Sequence, residues 1–397
     1  MGSITTATGR LPTMATVVDV PDRLLLGSGP SPVPARILEA LARPTIGHLD
    51  PAFGALMEDL AADLRAAMRT ANRVAFPVSG TGSAGMDAMV VNFVRPGDRV
   101  ICGVHGLFGV RMADALARQG ADVVTVAAEW GRAIPTERLL DAAAEPFDAL
   151  FVVHGETSTG IAQPLDGLAD ACRAHDALLL VDCVTSLAGH PLDLDAAGVD
   201  AAFSGTQKCL NAPPGLAPFT AGERAVARLP AAGAARSWYF DLRLVLGYWD
   251  GSSARAYHHT APINLVYALR EALAIVHEEG LEARWARHAR AHAALRDALA
   301  VLGLQRVAPE GEQLSSLLAV HVPDGVAEAD VRGPLLIEDG IEISGGLGPL
   351  AGRAWRIGVM GEGARPEPQE RLVRALARRL GGDEAEAVDA LAAGWAA

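Results

Sequence analysis

The chain has 397 residues, is half apolar and carries a formal net charge of −13. That length allows one large and one smaller domain. The acidic balance argues against nucleic acid or an anionic membrane as a partner, since both need a basic face.

The opening run, MGSITTATGRLPTMATVVDVP, has no apolar core segment and does not read as a signal peptide. Residues 1–24 are Thr-rich and are expected to form an extended arm. From about residue 70, short apolar runs alternate with amphipathic stretches. Strands are expected at 74–78, 99–104, 122–127, 148–154, 177–182 and 200–204. Helices are expected near 83–94, 108–119, 135–144 and 165–175. This alternation implies an α/β domain with a mostly parallel sheet covered by helices. Its strand runs are continuously apolar, as strands buried on both faces should be. After about 262 come two long helical stretches, 262–279 and 281–303. Strand-like runs at 316–322, 340–344 and 354–359 follow, with helices near 326–336 and 367–380. That reads as a smaller α+β domain over 262–397, after a large domain over 25–261. No apolar run is long enough to span a bilayer. Cys102, Cys172, Cys183 and Cys209 form no CxxC pair, which fits a reducing cytoplasm.

Ligands of open α/β sheets bind beyond the carboxyl ends of the strands. Polar runs cluster there in this chain. Ser79-Gly80-Thr81-Gly82-Ser83-Ala84-Gly85 joins a strand to a helix and would make a phosphate cup at a helix N-terminus. It could equally be a tight packing turn. Phe108 follows the strand at 99–104 and is either core or a platform for a flat ring. Thr157 and Ser158 bring hydroxyls to another strand end. Asp182 closes an apolar run, where a carboxylate needs a partner. It is an N-cap, or it holds a cofactor's ring nitrogen. Arg356, between Trp355 and Ile357, is no ordinary solvated arginine and could grip a carboxylate. His258 and His259 are expected to point to opposite sides of an extended segment, which disfavours a metal site.

Lys208, in FSGTQKCLNAPPG, is the single lysine among 34 basic residues. Arginine supplies charge equally well but stays protonated and cannot act as an amine nucleophile. A neutral lysine condenses with a carbonyl to form a Schiff base. Either Lys208 is a survivor of arginine bias, or this position needs a primary amine.

The stretches LLLGSGPSPVP, PTIGHLDPAF, VSGTGSAGMDA, HGETSTGIAQPLDG, LLLVDCVTSLAG, SGTQKCLNAPPG, YHHTAPINLVYALRE and GGLGPLAGRAWRIGVMG occur in this order. Together they resemble the class V, fold-type I aminotransferases that use pyridoxal 5′-phosphate (PLP). The resemblance is to the alanine–glyoxylate / serine–glyoxylate (serine–pyruvate) branch and spans about 25–380. It implies the fold-type I architecture, a large domain with a mostly parallel seven-stranded sheet and a smaller α+β domain. It implies that Lys208 forms the Schiff base with PLP and then carries the proton. Asp182 would pair with the ring nitrogen, Phe108 and Val184 would pack on the ring faces, and Thr81, Gly82, Ser83 and Gln207 would hold the phosphate end. Thr157 would contact the phenolic oxygen or the substrate, and Arg356 would bind the α-carboxylate. The backbone at Gly27, Ser28 and Gly29 would narrow the side-chain pocket.

Tyr257 and Thr260 would reach the phosphate from a partner subunit, which implies an obligate homodimer with shared active sites. Ser28 stands where relatives often have proline, and Phe108 where many have tryptophan. The activity implied is transfer of an amino group from L-alanine or L-serine to a 2-oxo acid, glyoxylate foremost. Open alternatives are an unusual amine or aminophosphonate donor, a pyridoxamine–pyruvate type reaction, and a non-catalytic binding module. A cysteine desulfurase would need a cysteine on a late loop, and none follows Cys209.

Overall fold

The computed structural model describes residues 20–231, 233–250 and 255–397. The arm expected over 1–24 falls outside the described residues as far as residue 19.

Seven strands form the main sheet: β1 (Val74–Ser79), β2 (Arg99–Val104), β3 (Asp122–Ala127), β4 (Ala149–Val153), β5 (Leu178–Asp182), β6 (Ala201–Phe203) and β7 (Leu216–Ala221). Their spatial order is β1-β7-β6-β5-β4-β2-β3. All neighbouring pairs are parallel except those of β7, which runs antiparallel to both β1 and β6. β4 and β5 are buried at every position, because helices cover both faces. The expected strands and helices of this domain appear within a few residues of their predicted bounds.

β7 was not expected from the pattern. It carries Pro218, which lies opposite Pro77 of β1. An interior proline argues against a central strand, because it donates no ladder hydrogen bond. Helix Pro51–Met68 lies before the alternating pattern. Asp50 caps it by accepting from the Ala52 N–H at 2.8 Å, and Phe53, Met57, Leu60 and Leu64 face the core.

The smaller unit holds β8 (Leu317–His321), β9 (Ser344–Gly345) and β10 (Ala354–Gly358), an antiparallel sheet with β10 in the middle. Helices Pro366–Leu380 and Glu384–Ala396 pack behind it. Helix Ile263–Glu279 buries Val266, Leu269 and Leu273 in the first core. Within the next helix, Leu281 still belongs to that core, whereas Leu295 and Leu299 belong to the second. The core therefore changes inside helix Leu281–Val301. The N-terminal segment joins the second core: Leu24–Leu25 pairs in parallel with Ile341–Glu342, and Leu26 is buried there. Residues 27–31 consequently run from the small core back to the strand ends of the large sheet.

Candidate active site

The loop after β6 carries Lys208, and it is pinned from several sides. Ser31 Oγ donates to the Lys208 carbonyl at 2.6 Å. Asn211 Nδ2 donates to Ser31 Oγ and to the Pro32 carbonyl, both at 2.9 Å. Arg284, fully buried, donates from Nη2 to the Cys209 carbonyl at 2.6 Å and from Nη1 to Glu279 at 2.7 Å. Burial raises the Glu279 carboxyl, but Arg287 and Arg284 outweigh it and bring it down to about 2. The backbone on both sides of Lys208 is thus fixed by side chains from the N-terminal segment and from helix Leu281–Val301.

Lys208 is 9% exposed. Its amine donates to the Ser28 carbonyl. Gly29, at φ +106, permits that approach: a Cβ there would lie 2.7 Å from Lys208 Cδ. Burial, and then the charge of Arg356, lower the amine from 10.5 to about 8.

Asp182 ends β5 and is buried. Its Oδ1 accepts from the Val184 N–H at 2.8 Å. Burial pushes this carboxyl up to about 7; the Val184 N–H pulls it down, Glu156 pushes it up, and Lys208 and Arg111 pull it down. Among the described residues no arginine or lysine forms an ion pair with this carboxylate.

Arg356, on β10, is buried. Nε donates to the Gly345 carbonyl at 2.8 Å and Nη1 to the Thr157 carbonyl at 3.2 Å. Thr157 is itself buried after β4. The small unit thereby delivers a guanidinium to the strand ends of the large sheet.

Helix Gly82–Phe93 starts beside Val184: a Cβ at Gly82 would lie 3.3 Å from Val184 Cγ2. Thr81, its N-cap, makes no side-chain cap. Among the described residues the N–H groups of Gly82 and Ser83 have no acceptor. Gln207 Oε1 is buried without a partner and would lie 2.9 Å from a Cβ at Gly205, while Val184 Cγ1 would lie 3.5 Å from the same point. A helix N-terminus with free N–H groups is a receptor for an anion.

Glu156 is the residue that sequence reasoning overlooked. It is buried, and its Oε2 accepts from the Phe108 N–H at 3.0 Å and the Gly109 N–H at 3.3 Å. Oε1 accepts from the Ser158 N–H at 3.0 Å and the Ser158 hydroxyl at 2.7 Å. Ser158 Oγ in turn accepts from the Leu107 N–H at 2.9 Å. The pair caps helix Leu107–Gln119 and sets the position of Phe108. The available signal was an acidic residue inside HGETSTG, a run with no other charge at neutral pH. The guanidinium of Arg111 lies over the Phe108 ring at 4.9 Å.

Tyr257 and Thr260 are exposed, and the Tyr257 ring packs on His48 with centroids 5.1 Å apart. The expectation for His258 and His259 is corrected. Their rings do not diverge: the two Nδ1 atoms are 2.8 Å apart. His258 stacks on Trp238 at 4.5 Å, and His259 Nε2 meets Ser79 Oγ at 2.7 Å. These contacts draw both imidazoles to one side of the chain.

The class-V aminotransferase family model matches residues 25–351. The chain belongs to the class-V aminotransferases. This aminotransferase is 37% identical over 367 residues to the (S)-ureidoglycine–glyoxylate transaminase of Bacillus subtilis, covering 87% of this chain and 88% of that one. It is 37% identical over 368 residues to the alanine–glyoxylate aminotransferase of Callithrix jacchus, covering 91% and 89%. The crystal structure of alanine–glyoxylate aminotransferase from Nostoc sp. superposes with a TM-score of 0.91 at 44% identity, over 95% of this chain and 100% of that one. The aminotransferase is an enzyme of transamination with the fold-type I architecture, and its cofactor is PLP. Its residues fit that group. A buried amine, a buried carboxylate without an ion-pair partner among the described residues, and an open helix N-terminus suit an aldehyde, a ring nitrogen and a phosphate.

Proposed function

We propose that this aminotransferase moves the amino group of L-alanine or L-serine to glyoxylate in two half-reactions on one site. The observation that carries this reading is the meeting of Lys208, Asp182 and Arg356 in one buried place at the strand ends. The names of its relatives support glyoxylate as the acceptor.

When bound, PLP supplies an electron sink conjugated to the substrate's α-carbon. The chain's own residues do the rest. The Lys208 amine takes the proton from the α-carbon and returns it on the other side of the exchange. Asp182 would keep a proton on the ring nitrogen. Phe108 and Val184 would pack against the ring. Thr81, Gly82, Ser83 and Gln207 would hold the phosphate, and Thr157 would contact the phenolic oxygen or the substrate. Arg356 grips the α-carboxylate, and the backbone of Gly27, Ser28 and Gly29 closes the side-chain pocket. Replacing Arg356 by lysine removes the planar fork. Arg356→Lys is expected to raise the donor KM by about 10- to 100-fold, the value of a charged hydrogen-bond pair, with the cofactor's visible band retained. Steady-state kinetics with each donor checks this.

The active unit in this reading is a homodimer, with Tyr257 and Thr260 serving the partner's phosphate site. Tyr257 is 62% exposed, and Trp238 and Leu49 are exposed beside His258 and His48. Apolar rings of that size in water favour burial against a second copy. Sedimentation equilibrium is expected to return twice the 41.2 kDa chain mass. A monomer would refute the shared site. We place the enzyme in the cytoplasm: its four cysteines are free and buried, and among the described residues no helix is long and apolar enough to cross a membrane.

The donor assignment is tested by the visible spectrum of the PLP-loaded protein. L-alanine or L-serine, added singly, should bleach the band, and glyoxylate should restore it. If neither does, the donor is another amine. A ureidoglycine-type donor is then the second reading, favoured by the Bacillus subtilis relative.

A further inference from the structure

Two serines meet beside the site from opposite ends of the chain. The Ser28 N–H donates to Ser344 Oγ at 3.0 Å, and the two hydroxyl oxygens are 3.2 Å apart. Gly27 makes this contact possible, since a Cβ there would lie 2.8 Å from Ser344 Oγ. The Ser28 carbonyl accepts the Lys208 amine. Ser344 is the direct register partner of Arg356 on the antiparallel β9–β10 ladder. Directly opposed residues share a face, with Cβ atoms about 4.5–5.5 Å apart. The pair therefore lies between the amine that meets the substrate's α-carbon and the guanidinium that meets its carboxylate.

The hydrogen bonds around this pair do not close. Two hydroxyls share one hydrogen bond, so whichever donates, the other's proton has no acceptor among the described residues. Both serines are half-buried. In the free site, water can take that proton. A bound donor excludes water, and its side chain must then supply the partner or leave the hydroxyl unpaired. A methyl group cannot supply it. A hydroxymethyl group can, through an oxygen one bond beyond the β-carbon.

The geometry points to a donor pocket selective for a hydrogen-bonding side chain: Ser28 and Ser344 favour short amino acids that carry a hydroxyl, L-serine over L-alanine. This rests on the proposed roles of Lys208 and Arg356. Sites built to bond a hydroxyl discriminate against analogues lacking it, because a polar group is left unpaired. For a half-buried pair the expected preference is about 10- to 100-fold.

The experiment uses the PLP-loaded enzyme, its Ser28→Ala and Ser344→Ala variants, their combination, and glyoxylate as acceptor. It reads the ratio of kcat/KM for L-serine to kcat/KM for L-alanine. The ratio should exceed about 10 in the parent and fall about tenfold in the double variant, which has no hydroxyl left to pair. Each single variant keeps one hydroxyl whose proton lacks an acceptor and should retain part of the preference. Calorimetric binding of L-glycerate and L-lactate repeats the comparison without turnover, because neither carries an amine. The affinity ratio should follow the same order. A parent ratio near one, or a ratio unchanged in the double variant, overturns the inference. If neither amino acid reacts, the donor assignment fails, and the glycerate-to-lactate ratio still decides the pocket.

Discussion

Lys208→Arg is expected to abolish transamination, with kcat falling at least about 10⁴-fold, the upper range for loss of a positioned acid–base group. The substitution keeps the positive charge and most of the stem. It removes the primary amine, and arginine does not deprotonate at working pH. Single-turnover absorbance with L-serine or L-alanine checks this, and a variant retaining even a hundredth of the parent rate would refute the role. The parent's kcat should also rise with pH along a limb near 8, where burial and Arg356 place the amine. Below that value the amine is protonated and cannot take the α-proton. Exchanging Arg356 for leucine removes the neighbouring charge and should move the limb upward.

Asp182→Asn should lower kcat by about 10³-fold, comparable to removing one preorganised charge stabiliser from an active site. The amide keeps the size of the side chain but not the charge that holds a proton on the ring nitrogen. The same substitution should act in the opposite direction on the cofactor-free protein. There the Asp182 carboxyl is raised from 3.8 to about 7, chiefly by burial. Between those values the native state binds more protons than the unfolded chain, so stability falls as pH rises from about 4 to about 7. At neutral pH that loss is roughly 4 kcal/mol at most. Asp182→Asn should remove the loss, leaving the cofactor-free variant at least as stable as the parent in urea at pH 7. A cofactor-free variant that is less stable at pH 7 would show that a partner within the chain already compensates the carboxylate.

Much of the site was legible because its residues lie at strand ends, and strands buried on both faces announce themselves as apolar runs. Asp182 closes one such run, and Thr157 follows another. Glu156 escaped because its role depends on the N–H groups of Phe108 and Gly109, which belong to another element. β7 escaped because Pro218 breaks the strand pattern, and only the flanking strands show that its place in the sheet is tolerated. The two histidines were misjudged because local chain geometry said nothing of Trp238 and Ser79, which draw their rings together.

Sequence alone singled out position 208 as the one place where the chain offers a lysine amine. Residue type is a property of sequence, and arginine, which supplies every other basic side chain here, cannot act as an amine nucleophile. Sequence also determined the α/β architecture, since hydrophobic period is a local property. Tertiary structure alone decided the environment of that amine. Ser28 and Ser344 meet across a separation of 316 residues, and Arg356 reaches the strand ends from a different core. Burial, charge and hydrogen-bond partners are set by what approaches through space, and those approaches lower the Lys208 amine and leave one hydroxyl proton beside it without an acceptor among the described residues.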